Sequence, residues 1–195
     1  RVFKDAIGVD VPTPLPRITY NEAMNRYGSD KPDTRYGMEL IDITDEVSSS
    51  EFVVFKSATA EGGTVRAINA KNAVSALSRK EIDKLTDYVK GIGAKGLAWI
   101  RMTDDGVSSS FAKFMTEDEM NAILKKTGAE KGDVILIVAD KIKNHVLTVL
   151  GALRQKVAKK LDIIPEGKYN FLWITEFPFF EYDEELKQFV AMHHP

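Results

Sequence analysis

The amino-acid sequence predicts an α+β fold, a mainly antiparallel sheet with helices on one face. Three observations carry that expectation. Short apolar or alternating runs with the period of a strand are interleaved with longer runs whose apolar residues recur every three to four positions. Three of the helical runs open on the Ser/Thr-x-x-Glu signature of a capping box. The connections between runs are short, so successive elements pack as neighbours in layers.

Taken in order, Pro12, Pro14 and Pro16 have a fixed φ and no amide donor, which predicts an extended linker over residues 1–18. Thr19-Tyr20-Asn21-Glu22 opens a short helix that runs to Tyr27 and stops at Gly28. Ser29-Asp30-Lys31-Pro32-Asp33-Thr34-Arg35 then forms a charged loop. Residues 40–44 alternate as a strand does, and Ser48-Ser49-Ser50-Glu51 begins a helical turn. A strand over 64–70 follows the Gly62-Gly63 turn. Ser78-Arg79-Lys80-Glu81 caps a helix whose stripe is Ile82, Leu85 and Val89. The strand at 97–103 ends in Asp104-Asp105-Gly106. Thr116-Glu117-Asp118-Glu119 opens a helix with Met120, Ile123 and Leu124 inward, closed by Gly128. Residues 133–139 are an almost wholly apolar strand. The longest helix spans about 141–161, with Ile142, Val146, Val149, Leu150, Leu153, Val157 and Leu161 as its stripe. A strand at 171–177 and a hairpin turning at Tyr182-Asp183-Glu184-Glu185, returning through Phe189 to Met192, complete the chain.

The composition is that of an ordinary globular protein: 195 residues, 44% apolar, 29% charged and 9% aromatic. Such a chain buries enough surface for a core without staples. Lysine plus arginine number 27 and aspartate plus glutamate 29, a formal charge of −2, so nothing points to a histone-like or tail-driven nucleic-acid binder. There is no cysteine, which excludes disulfides, thiolate zinc sites and cysteine nucleophiles and fits a reducing, cytoplasmic compartment. No apolar run approaches the ~20 residues of a membrane span. The chain starts on Arg1 rather than methionine and stops at Pro195 directly after a strand-like segment, so it reads as part of something longer. The proline- and aromatic-rich ends differ from the middle. That predicts 1–40 and 166–195 as two flanks of one domain, and 41–165 as a β/α body inserted between them.

Four motifs bear on chemistry. Gly91-Ile92-Gly93-Ala94-Lys95-Gly96 matches G-x-G-x-x-G, but helix precedes it and strand follows. A dinucleotide site needs the reverse order, so this is a helix end and a loop. Lys141, Lys143, Arg154, Lys156, Lys159 and Lys160 line the long helix with no acid between residues 141 and 161. Two readings stay open: a row that contacts phosphates, or a solvated face whose cations suit a helix C-terminus. His145 in their midst reads as a helix-surface residue. The 29–35 loop reads as a surface loop braced by Asp–Lys and Asp–Arg pairs. His193 and His194 are neighbours in a strand and so point to opposite faces; one can reach a pocket while the other packs or orients. No further histidine or carboxylate has metal-ligand spacing.

These segments together resemble the bacterial-type aspartyl-tRNA synthetases, a class II family. The resemblance is carried by Pro16-Arg17-Ile18-Thr19-Tyr20-Asn21-Glu22-Ala23-Met24 and by the loop just quoted with Tyr27-Gly28 before it. It continues through Gly93-Ala94-Lys95-Gly96-Leu97-Ala98-Trp99, Ala112-Lys113-Phe114 and Gly151-Ala152-Leu153-Arg154. Leu172-Trp173-Ile174-Thr175-Glu176-Phe177-Pro178-Phe179-Phe180-Glu181 and Ala191-Met192-His193-His194-Pro195 close it, so it covers essentially the whole chain. The middle resembles the GAD domain, also found in the B subunit of the tRNA-dependent amidotransferase. The resemblance implies that the parent enzyme activates L-aspartate with ATP and Mg2+ and transfers it to tRNA-Asp, as a cytoplasmic homodimer with no membrane or DNA partner. It implies that His193 faces aspartate, with an imidazole N–H or charge toward a carboxylate, and that His194 supports it. It places the 29–35 loop near the catalytic pocket or the acceptor end. The F-R-D-E-like run and the glycine-rich run ending in arginine, which in this family hold ATP, do not occur here, nor do the dimer-forming motif and the anticodon barrel. The fragment is therefore expected to contain no catalytic residue, to bind no cofactor and to be inactive alone. The alternative is an amidotransferase-type GAD module acting in binding or scaffolding, which accounts for the middle but not for residues 27–35 or 193–194. A stand-alone adaptor is a third reading.

Overall fold

The computed structural model describes residues 2–183 and 186–192. Its centre is a five-stranded, wholly antiparallel sheet. The strands are β2 (Ile41–Asp42), β3 (Thr64–Ala70), β4 (Ala98–Thr103), β5 (Gly106–Ser109) and β6 (Val134–Asp140), in the order β2-β3-β6-β4-β5. β3 and β6 pair over their full length, Thr64 opposite Asp140 through Ala70 opposite Val134, and every residue of both is buried. A continuous apolar strand such as Val134-Ile135-Leu136-Ile137-Val138 has no face to give to water, so it needs cover on both sides.

That requirement corrects the expectation of helices on one face. Even-numbered residues of the two central strands, Ile68, Leu136 and Val138 among them, pack under α4 (Arg79–Gly91) and α6 (Lys143–Lys160). Odd-numbered ones, Val65, Ala67, Ile135 and Ile137, meet a second core. Phe55 and Ala58 of α3 (Val53–Ala60), Ile123 of α5 (Glu117–Thr127) and Phe111 build that second core. The sheet is sandwiched between two helical layers.

Outside the sheet lie α1 (Val2–Ile7), β1 (Arg17–Thr19), α2 (Tyr20–Tyr27), β7 (Trp173–Thr175), β8 (Phe180–Asp183) and β9 (Gln188–Ala191). β1 runs parallel to β7, with Ile18 opposite Ile174, and β8 pairs antiparallel with β9. The linker expected over 1–18 begins with a helical turn instead. The prolines start only at residue 12, and the Phe3 ring seats edge-on against Phe171 at 4.5 Å. The helical turn expected to begin at residues 48–51 is met by α3, which starts at Val53, and β5 has no counterpart in the sequence reading. α3 has no side-chain cap, its first residue following Phe52, and β5 is a four-residue edge strand with an exposed start.

The capping signals are realised to different degrees. Thr116 makes the full box: its hydroxyl accepts from the Glu119 amide at 3.2 Å, and the Glu119 carboxylate accepts from the Thr116 amide at 2.8 Å. Thr19 and Ser78 accept from the third residue on, but Glu22 turns to Arg26 and Glu81 to Lys84 and Lys160.

Candidate functional site

The charged 29–35 loop, the 168–171 segment and the C-terminal half of α6 meet at one place, and each is held there for an identifiable reason. α2 ends on Gly28, whose φ of +65° a glycine adopts without a Cβ penalty. A Cβ there would overlap the Leu147 carbonyl oxygen and lie 2.8 Å from the Gly151 Cα. A Cβ on Gly151 would in turn strike the Gly28 carbonyl, so the two backbones touch and only glycine fits at either position.

Beyond Gly28 the loop is knitted from its own polar groups. Ser29 Oγ accepts from the Lys31 amide at 3.0 Å, and Lys31 pairs with Asp30 at 3.2 Å. Arg35 forks onto Asp33 through Nε at 2.9 Å and Nη2 at 2.7 Å, a bidentate pair that is among the stronger charge-assisted contacts. That guanidinium holds the Asp33 carboxyl below its ordinary range against the opposing effect of burial. Arg35 also donates to the Lys168 carbonyl at 3.2 Å, and Asn170 donates to the Thr34 carbonyl at 3.2 Å. A shallow polar cleft results, lined by Lys31, Asp33, Arg35, Lys168, Tyr169 and Asn170. The expected Asp–Lys and Asp–Arg bracing is present, and the cross-links to 168–171 are added by the fold.

Beneath the cleft sits Arg154, 1% exposed. Its Nη2 donates to the carbonyls of Asp33 at 2.9 Å, Tyr36 at 3.1 Å and Gly37 at 2.9 Å. Nε donates to Met38 at 3.0 Å and Nη1 to the Tyr36 hydroxyl at 3.2 Å. The guanidinium carbon lies 4.1 Å from the Tyr36 ring centroid and 5.1 Å from that of Tyr27, both within cation–π reach. Burial lowers the Arg154 pKa against the opposing pull of the two tyrosines, and burial likewise raises that of Tyr36.

One member of the cationic row on the long helix is not on its solvated face. Arg154 is in the core, Lys160 is bound to Glu81, and Lys156 lies over the Tyr88 ring at 4.6 Å. Lys141 pairs with Glu61 at 3.4 Å, and Lys141, Lys143, Lys156, Lys159 and Lys160 all stay exposed. His145 is half buried beneath the Gly93 turn rather than out on the surface. The Gly91–Gly96 stretch joins the end of α4 to β4, the order that excludes a dinucleotide cradle. His193 and His194 lie outside the described residues. The sequence reading missed Arg154 as an anchor. Its signal was there, because 150, 154, 157 and 161 are spaced four, three and four and so place Arg154 within the apolar stripe.

Among the described residues no three His, Asp or Glu side chains converge as a metal site requires. No helix among them is long and apolar enough to cross a membrane. Exposed aromatics gather on the C-terminal flank, where Trp173, Phe179, Phe180 and Phe189 are each more than half exposed.

Comparison with known proteins identifies the middle and the whole. Residues 55–150, from α3 into the first half of α6, match the family model of the GAD domain. Over its full length the chain is 56% identical to the "Aspartate--tRNA ligase" of Ruminiclostridium cellulolyticum, covering 33% of that protein. Along its whole length the chain is similar to one third of the bacterial aspartate–tRNA ligases. It is 53% identical to the "Aspartate--tRNA(Asp/Asn) ligase" of Anoxybacillus flavithermus and 54% identical to the "Aspartate--tRNA ligase" of Clostridium botulinum strain Alaska E43. Each match covers 100% of this chain and 32–33% of the relative, so the chain spans about a third of the length of the ligases it matches. The GAD match stops at 150, four residues short of Arg154, whereas the ligase matches run through it.

Proposed function

We propose that this chain serves protein biosynthesis as the GAD-bearing third of an aspartate–tRNA ligase, an enzyme that activates L-aspartate with ATP and Mg2+ and transfers it to tRNA-Asp. The observation that carries this is identity of 56% over all 195 residues, flanks included. An amidotransferase-type module would account for 55–150 alone. In this reading residues 1–40 and 166–195 are flanks of the catalytic domain and 41–165 is the insert. The parallel pairing of β1 with β7, which joins residues 17–19 to 173–175 across that insert, supports the division. The enzyme is a cytoplasmic homodimer, and the family resemblance makes His193 the residue that binds aspartate, with His194 in a supporting role. The cations for the α-phosphate and the carboxylates for magnesium come from outside these 195 residues.

The test has two arms. The purified 195-residue protein is expected to show no aspartate-dependent ATP–pyrophosphate exchange; detectable exchange would overturn its inertness. A chimera of the R. cellulolyticum ligase carrying this chain in place of its matching third is expected to aspartylate tRNA-Asp. A folded but inactive chimera would sink the reading. In the same chimera His193→Ala should cost about 1–3 kcal/mol in kcat/KM for aspartate. Unchanged kinetics would remove His193 from the pocket.

A further inference from the structure

We propose that the long helix α6 of the GAD insert is the strut that sets the 29–38 loop, with Arg154 as a positioning residue for aspartate activation. The proposal rests on the ligase reading above and adds to it a task for the insert. Two contacts, one helical turn apart on α6, grip the loop at its start and its end. At the start Gly151 lies backbone to backbone with Gly28, with no room for a Cβ on either. At the end Arg154 gathers the carbonyls of Asp33, Tyr36, Gly37 and Met38, all within 3.1 Å.

The chemistry of Arg154 argues for shape rather than stability. Among the described residues it makes no salt bridge, and its charge is met by carbonyl dipoles, the Tyr36 hydroxyl and two ring faces. A buried guanidinium carries a large desolvation cost, so its contacts add less to net stability than their number suggests. A forked group with five donors is satisfied only when several acceptors converge. The four carbonyls converge only if residues 33–38 take one conformation. That conformation presents Asp33 to Arg35 and leaves the exposed Lys31 paired with the partly buried Asp30. A loop held at both ends by one rigid helix keeps its tip in place, and misplacing such groups by an ångström is costly in catalysis.

Amide hydrogen exchange in the 195-residue protein tests the strut without any activity. Arg154→Met should speed exchange across residues 29–38 by roughly tenfold or more. Ile123→Ala, which weakens the core on the opposite sheet face, should leave those amides at the wild-type rate. Tyr36→Phe, which removes one contact to Arg154, should act in the same direction more weakly and decides the matter if Arg154→Met does not fold. In the chimera, Arg154→Met should raise the aspartate KM by roughly ten- to a hundredfold with the tRNA KM unchanged. Arg154→Lys should recover little of this, because one ammonium cannot serve four carbonyls. Loop exchange equal to wild type in both Arg154→Met and Tyr36→Phe, or faster loop exchange with an unchanged aspartate KM, would overturn the proposal. If the unmutated chimera fails to aspartylate, the ligase reading falls, and the exchange comparison still decides whether α6 holds the loop.

Discussion

Asp133 is 1% exposed, and its carboxylate is surrounded by donors. Its oxygens accept from the amides of Glu130 at 2.9 Å and Asn72 at 3.0 Å, from Lys71 at 2.9 Å and from the Asn69 side chain at 3.1 Å. Burial opposes ionisation, but these donors together outweigh it and hold the pKa below the ordinary 3.8. A carboxyl depressed on folding contributes stability at pH values above its unfolded pKa and loses it as pH falls through the folded one. Urea unfolding followed downward from pH 5 should therefore show a loss beginning near pH 4, and Asp133→Asn should make that loss shallower. Gly28 is the second residue of this kind. With φ at +65° and α6 against it, Gly28→Ala should cost about 2–4 kcal/mol in chemical denaturation, whereas Gly37→Ala, with open space around it, should cost far less. Gly28 was legible as a helix stop. That it also touches Gly151, more than a hundred residues away, was not, because no local pattern encodes a contact partner.

Helix ends were the best-read elements. Gly28 and Gly128 close α2 and α5 in the left-handed conformation as expected, and Thr116 caps α5 with a complete box. Thr116→Ala should lower stability by about 1 kcal/mol, read as a shift in the denaturation midpoint at constant slope. Ser78→Ala should cost less, since its hydroxyl is 3.4 Å from the Glu81 amide and Glu81 is engaged elsewhere. That engagement has its own signature: Lys160 first, then Lys84, pull the Glu81 carboxyl down to about 2, so its NMR titration midpoint should sit well below that of an ordinary glutamate. α3 starts later than the turn expected at residues 48–51: its cap is Phe52, a residue with no side-chain acceptor, and Phe55 and Ala58 pack it on the sheet. The candidate site divides the same way. The loop's charged bracing was visible in Asp33 and Arg35, two residues apart, while Arg154 looked like one more surface cation of a basic helix.

At the scale of the molecule the decisive feature is that β3 and β6 are buried on both faces. Leu136 lies at 0% exposure on the α6 side and Ile137 at 1% on the α3 side. Leu136→Ala and Ile137→Ala should each cost about 2–5 kcal/mol, and a calorimetric comparison should find neither face dispensable. The sequence by itself determined the α+β class, the capped helix starts and stops and the central strands, because capping, periodicity and local motif order act between residues a few positions apart. Only the tertiary structure decided that helices cover both sides of the sheet, that β1 pairs with β7, and that Arg154 serves the 29–38 loop instead of solvent. Those are choices between surfaces distant along the chain, settled by burial and by which carbonyls happen to converge on one guanidinium.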